Sequence, residues 1–338
     1  MRGVPSGQPH PYARLTPDVV LNSLEALGLA CDGRLLALNS YENRVYQVGQ
    51  EEGAPLVAKF YRPERWSEAQ ILEEHAFAIE LAEAEVPVVA PLAFAGRTLH
   101  ESDGFLFAVY PRQGGRAPEL DDGRTLEWIG RFIGRLHAVG RARPFTHRPA
   151  LDIATFGDDS RRFLLENGCI PPELLESWRT VADLALEGVR HAFARAGDVA
   201  RIRVHGDCHS GNVLWTPPSG NATGGPHFVD LDDSRMAPAV QDLWMLISGD
   251  RASMARQLGH LLRGYEDFGE FDDRELALLE ALRTLRLLHY SAWLARRWDD
   301  PAFPIAFPWF NTTRYWQDRI LELREQVAAL QEAPIVPA

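Results

Sequence analysis

The sequence predicts an α+β fold in two lobes: a small five-stranded antiparallel sheet with one main helix over residues 15–111, then a larger, mainly helical body over 112–332. Three observations predict it. Short β-like runs occupy residues 35–60 and return before residue 111, with a single helical stretch between them. Long helical segments dominate after residue 150, and the break Pro111–Gly115 separates the two regimes as a hinge.

Each element has its own signal. Thr16-Pro17-Asp18 opens a helix that carries Val19, Val20, Leu24 and Leu27 on one face and stops near Gly28. Leu35–Leu38, Arg44–Val48 and Leu56–Phe60 read as strands, divided by turn-prone Asn39–Asn43 and Gly49–Gly53. Residues 67–85 run helical, and Val88–Leu92, Leu99–His100 and Phe105–Tyr110 finish the sheet. Beyond the hinge, Leu126, Ile129, Ile133 and Leu136 recur at helical spacing, with His137 a packed or capping side chain. Further helices are expected over 172–196, 251–269, 273–298 and 313–332. Pro217–Pro226 reads as a hairpin loop, the aromatic run Phe303–Phe310 as packing between helices, and residues 1–14 and 333–338 as a flexible arm and tail. No internal repeat is present.

Composition bounds the class. With 338 residues, 46% apolar and 24% charged, the chain can bury two packed lobes. A net charge of −12 argues against a nucleic-acid surface, which needs clustered basic residues. Cys31, Cys169 and Cys208 are few, widely spaced and odd in number, as expected of reduced thiols in the cytosol. No apolar run approaches the roughly 18 residues of a membrane helix, and the first 14 residues lack a signal-peptide core. The expectation is a cytoplasmic, monomeric protein with no membrane partner.

The chemistry concentrates in two segments. Residues 205–212 read His-Gly-Asp-Cys-His-Ser-Gly-Asn, and 228–233 read Phe-Val-Asp-Leu-Asp-Asp. An aspartate, an asparagine five residues on, and a later aspartate after an apolar strand form the layout of kinase-type phosphoryl transfer. Asp207 would accept the proton of the attacking hydroxyl, while Asn212 and Asp230 would hold Mg²⁺ against the phosphates of ATP. The chain has 34 arginines and one lysine, Lys59, in Leu56-Val57-Ala58-Lys59-Phe60. A compact ammonium suits a bridge between phosphates and a carboxylate, where a planar guanidinium fork does not. Ala58 is expected to lie small and flat beneath adenine, and Glu74, with Glu73 in reserve, to pair with Lys59. Backbone groups of Phe107–Tyr110 would face the adenine edge.

The phosphate-covering loop lacks Gly-x-Gly-x-x-Gly and reads Asn39-Ser40-Tyr41-Glu42-Asn43-Arg44-Val45 instead. Ser40 can supply a hydroxyl and an amide, and Asn43 tolerates the left-handed backbone of a tight turn. A zinc site from His205, Asp207, Cys208 and His209 is disfavoured, because those ligands stand too close together for a tetrahedral site. His205 is expected to brace its loop, with Cys208 and His209 packing or lining it. Asp242 is expected as a buried acceptor for the amides of that loop. Asp232 and Asp233 read either as extra metal contacts or as a solvated turn.

The run Leu36–Tyr46, taken with His205–Asn212, Phe228–Asp233 and Gln241-Asp242-Leu243-Trp244-Met245, resembles the bacterial stress response kinase A (RdoA/YihE-type) family of the aminoglycoside phosphotransferase and choline kinase-like superfamily. The resemblance spans about residues 15–330; the arm and the Pro217–Gly225 insert stand apart from it. It implies an ATP- and Mg²⁺-dependent serine/threonine protein kinase that can autophosphorylate and helps cells survive stress. On that basis Asp207 and Asp230 carry catalysis, Asn212 and Asp230 the metal, and Ser40, Val45, Ala58, Lys59, Glu74 and Tyr110 the nucleotide. Two other classes stay open: a small-molecule kinase acting on a hydroxyl, since fold does not fix substrate, and a pseudokinase scaffold.

Overall fold

The computed structural model describes residues 10–218 and 224–338. Helix α1 (Pro17–Glu25) leads into β1 (Cys31–Ala37), β2 (Arg44–Gln50), β3 (Leu56–Phe60), α2 (Glu68–Glu83), β4 (His100–Ser102) and β5 (Phe105–Pro111). Thr16 caps α1 by accepting from the Val19 amide, with Pro17 at the first position, where a missing N–H costs nothing. Ser67 and Gln70 close a capping box at the start of α2. The sheet is antiparallel in the order β1-β2-β3-β5-β4, so β5 lies between β3 and β4.

Strand alternation divides the small lobe into two cores. Val48, Ala58, Phe60, Phe107 and Val109 pack against Val20 and Leu24 of α1. On the other face Ala108 and Tyr110 meet Ile71 of α2. Lys59, paired across the sheet with Val45 on one side and Ala108 on the other, shares this second face.

The larger lobe carries α3 (Gly123–Arg141), α4 (Asp159–Glu166), α5 (Pro172–Ala196), α6 (Arg251–Tyr265), α7 (Leu279–Arg296), α8 (Ala302–Ala306) and α9 (Thr313–Ala329). Two short antiparallel ribbons interrupt them: β6 (Ile202–Val204) pairs with β9 (Arg235–Ala237), and β7 (Val213–Thr216) with β8 (Gly225–Phe228). The loops 205–212 and 229–234 therefore emerge side by side from paired strands. Beneath them α3 and α6 touch backbone to backbone; a Cβ on Gly130 would stand 2.0 Å from the Leu261 carbonyl oxygen.

Several expectations are corrected. Val88–Leu92 is not a strand, because Pro87 and Pro91 remove donors a ladder needs. The segment instead links lobes: the Val89 amide donates to the Phe228 carbonyl (3.1 Å) and the Leu92 amide to that of Val109 (2.7 Å). Residues 10–14 are no loose arm. Tyr12 is buried, its hydroxyl donates to the carbonyls of Glu42 (3.1 Å) and Phe60 (3.3 Å), and His10 lies 2.6 Å from Asp300. Residues 1–9 of that arm lie outside the described residues, as do 219–223 of the Pro217–Pro226 loop. The tail 333–338 is docked as well: Ile335 is buried and the Ala338 amide donates to Ala255 (3.1 Å). In the aromatic run, Phe303, Phe307 and Phe310 are buried while Ile305 and Trp309 are exposed.

Candidate functional site

The loop after β6 is fixed from below by one carboxylate. Asp242 is fully buried and accepts from the amides of His205 (2.7 Å) and Gly206 (2.8 Å), while its Oδ2 lies 3.0 Å from His137 Nε2. Burial would raise its carboxyl, but the hydrogen bonds from His137 and the loop amides hold it below the ordinary value. Gln241 donates to the Gly206 carbonyl (2.9 Å), and His205 Nε2 lies 2.9 Å from the Val229 carbonyl oxygen, tying the two loops together. Gly206 has φ +85°, and a Cβ there would stand 2.2 Å from the Asp233 carbonyl oxygen. Cys208 is buried beneath the loop.

Above this base, Asp207 Oδ1 stands 2.6 Å from a guanidinium nitrogen of Arg286, by charge proximity rather than along a hydrogen-bond direction. Asn212 donates through Nδ2 to the Asp207 carbonyl (2.9 Å), which leaves its Oδ1 without a donor among the described residues. Asp230 has the left-handed backbone angles φ 60°, ψ 65°, sparsely populated for a non-glycine residue, and its side chain is 52% exposed. Two oxygens thus face open space, an amide carbonyl and a carboxylate, which is the donor type that hard divalent cations take. Among the described residues no group of three or more His, Cys, Asp or Glu is arranged to hold a metal alone. Asp207, Asn212, Asp230 and Ser40 all line one cavity of about 630 Å³.

Lys59 stands where the sequence points, but its partner differs. Its ammonium lies 2.8 Å from Asp230 and 3.3 Å from Asp232, and no ion pair joins it to Glu74. Burial alone would lower its pKa; the two aspartates outweigh it and raise it well above the ordinary value. Glu74 is buried, its Oε2 has no hydrogen-bond partner, and burial pushes its carboxyl up to about 7 against the pull of Lys59. Glu73 is excluded as the partner, since it accepts from the backbone amides of His147 and Arg148, both at 2.8 Å, and from that of Thr146.

Asp232 and Asp233 form no solvated turn. Asp232 is buried, contacts Arg65 and accepts from Asn43 (3.2 Å); Asp233 accepts from Arg65 (2.9 Å) and Arg235 (2.8 Å). Burial opposes the charge on Asp232, yet Arg65 and Lys59 hold its carboxyl down at about 2. Asn43 keeps an ordinary backbone and works through its side chain, which also accepts from the Arg62 amide (3.1 Å). Ser40 donates to the Asn43 carbonyl (3.1 Å), closing the loop on itself.

Ala58, expected beneath adenine, does not share a face with Lys59. It is fully buried in the core against α1, on the face opposite Lys59; the strand's period of two gives the shared face to Val57 and Val45 instead. Tyr110 also stays out of the cleft. It is buried, with its hydroxyl 2.9 Å from that of Tyr61 and 3.4 Å from His75, and the neighbouring Val109 carbonyl is already taken by Leu92.

Sequence reasoning missed Arg65, Arg286 and the Glu42 anchor. Glu42 accepts from Trp293 Nε1 (2.5 Å) and lies 2.6 Å from Arg297, and Tyr41 packs on Phe307 with ring centroids 4.7 Å apart. The phosphate-loop candidate is thereby pinned to the larger lobe. The aspartate pair Asp232-Asp233 signals that buried cations exist, but with 34 arginines in the chain nothing in the sequence says which.

Comparison with known proteins gives a consistent result. The profile described as APH, Phosphotransferase enzyme family, matches residues 34–279. "Stress response kinase A" of Salmonella choleraesuis (strain SC-B67) is 45% identical over 324 residues, covering 96% of each chain. "Serine/threonine protein kinase RdoA" of Salmonella typhimurium (strain LT2) matches at the same 45% over 96% of each chain. Among solved structures, amicoumacin kinase hAmiN, in complex with AMP-PNP, Ca²⁺ and Ami, superposes with a TM-score of 0.70 at 20% identity, covering 95% of both chains.

Proposed function

The chain belongs to the stress response kinase A family of phosphotransferases, and we propose that it moves the terminal phosphoryl group of ATP, with Mg²⁺, to a serine or threonine hydroxyl of a protein substrate. The observation that carries the reading is the meeting of Asp207, Asn212 and Asp230 in one cleft beneath the Ser40 loop. Asp207 takes the hydroxyl proton as the oxygen attacks, with the Arg286 guanidinium 2.6 Å from that carboxylate. Asn212 Oδ1 and the exposed carboxylate of Asp230 are the oxygens that would hold the metal. Bound Mg²⁺ supplies charge neutralisation across the phosphate oxygens. Lys59 is the group that would donate to phosphate oxygens, and Asp232, paired with Arg65, keeps its ammonium in place. Ser40 and the amides of its loop close over the phosphates, the loop being held through Glu42 to Trp293 of α7 and to Arg297.

The relatives' names support the protein acceptor and a role in stress survival, and autophosphorylation is part of the same reading. Residence in the cytoplasm as a monomer belongs to it too, and its three cysteines are free, as in a reducing compartment. The test is incubation with terminally labelled Mg-ATP and a cell extract. Label on protein serine and threonine is expected; label confined to a metabolite pool would replace this reading with small-molecule phosphorylation.

A further inference from the structure

One face of α7 forms the wall of the cavity opposite the metal-side residues. Leu282, Arg286, His289, Tyr290, Trp293 and Arg296 recur at helical spacing and all line the space that holds Asp207. The carboxylates around this wall are mostly committed. Asp233 is held by Arg65 and Arg235, Asp232 by Lys59 and Arg65, and Glu42 by Arg297. Asp159, the acid that acts on Arg296 at longer range, pairs with Arg162. Arg296 is exposed and has no carboxylate within ion-pair distance among the described residues. Arg286, its side chain 38% exposed, has only Asp207, the base itself. Between them the His289 ring stacks on Phe156 (centroids 4.1 Å apart), and its buried Nδ1 has no hydrogen-bond partner among the described residues.

In a chain of net charge −12, two guanidiniums therefore stand on this wall beside the acceptor position, Arg286 against the base alone and Arg296 stacked over Phe163 with no carboxylate partner among the described residues. We propose that the acceptor is an acidic segment: a serine or threonine with one carboxylate next to it for Arg286 and a second farther along for Arg296. The inference rests on the protein-kinase reading above and narrows its substrate class. The spacing follows from geometry. Ten residues of helix separate the two arginines, a rise of about 15 Å. An extended chain advancing about 3.3 Å per residue covers that in roughly four to five residues. A cationic peptide would meet like charge on the same wall, and an acidic one offers planar carboxylates to two guanidinium forks.

The experiment uses the full chain, labelled Mg-ATP and matched peptides with a single serine. Glutamate, glutamine or arginine is placed beside the serine, or four to five residues from it on either side. Glutamate at either position is expected to raise kcat/KM about fivefold over glutamine, the upper end for an exposed ion pair. In Arg296→Glu the distal preference inverts towards arginine while the proximal preference for glutamate persists; Arg296→Gln, which removes charge with little change of shape, abolishes only the distal preference. Equal use of glutamate and glutamine peptides by the unmodified protein, or a preference for arginine, overturns the acidic-substrate proposal and leaves the protein-kinase reading standing. Absence of label on every peptide and protein, with label on a small metabolite, overturns both.

Discussion

The two halves of the cleft are held together by different means. The floor, residues 205–212, is fixed by neutral and charge-assisted hydrogen bonds to Asp242, His205 and Gln241, with its key amides satisfied before any ligand binds. The roof side, Lys59 with Glu74 and Asp230 to Asp233, is held by charges that compete for each other, and among the described residues two buried carboxylate oxygens, Glu74 Oε2 and Asp232 Oδ1, accept no hydrogen bond. A satisfied backbone cradle is rigid, whereas a set of paired charges can be re-paired when a phosphate and a cation enter. The difference teaches where pre-organisation ends: the proton acceptor is built in advance, and the nucleotide side is completed by the nucleotide.

That contrast can be broken most directly at the floor. Asp207→Ala is expected to lower phosphoryl transfer by about 10²–10⁴-fold while nucleotide affinity and melting temperature stay near those of the parent, because a general base does not hold the nucleotide. Turnover near that of the parent, measured as label transferred per minute, would remove Asp207 from the chemistry. On the roof side, Lys59→Arg should fold but lose on the order of 10²-fold in rate, since a guanidinium cannot fill a site shaped for an ammonium between two aspartates. Because Lys59 is the only lysine, amine acylation followed by peptide mapping reports on it directly. Mg-ATP should protect it, and equal labelling with and without nucleotide would place it outside the site.

Asp242→Asn probes how far the floor depends on one carboxylate. An amide group turned towards the His205 and Gly206 amides leaves a donor facing donors, so a stability loss of about 1–3 kcal/mol is expected, read as a lower melting temperature together with reduced turnover. An unchanged melting curve would mean that the loop is held by its strands alone.

The smallest effect sharpens the roof side. Burial raises the folded Glu74 carboxyl to about 7 from its ordinary 4.5. A raised folded pKa contributes stability in full below about pH 4.5 and loses it as pH climbs through 7, because the native state binds the extra proton in that window. Glu74→Gln should therefore flatten the fall of melting temperature between pH 4.5 and 7. A slope equal to that of the parent protein would assign the pH dependence to another group.

Much of this was legible in the residues. The two-lobed α+β class, the helix after the third strand and the family membership follow from short-range patterns: period two in 44–60, helical period in 126–136, and the fixed spacings inside 205–233. Asp207, Asn212, Asp230 and Ser40 share a cavity because strand–loop–strand units of fixed length carry most of them. The errors have a common form. Ala58 fits a motif by residue type, but strand alternation puts it on the face opposite Lys59. Asp232 stays open in the sequence between a metal contact and a solvated turn, because its cation, Arg65, lies 167 residues away in the chain.

The sequence by itself determined which residues carry the chemistry and on which kind of element each stands, because side-chain type, strand parity and loop length are local properties. Tertiary structure alone decided the pairings: Lys59 with Asp230 and Asp232 rather than Glu74, Arg286 beside Asp207, Tyr12 and Ile335 in the core. A charge has no intrinsic preference among the opposite charges in its chain. Its partner is set by which carboxylates reach it and how deeply the fold has removed them from water, and both are known only once the lobes are packed.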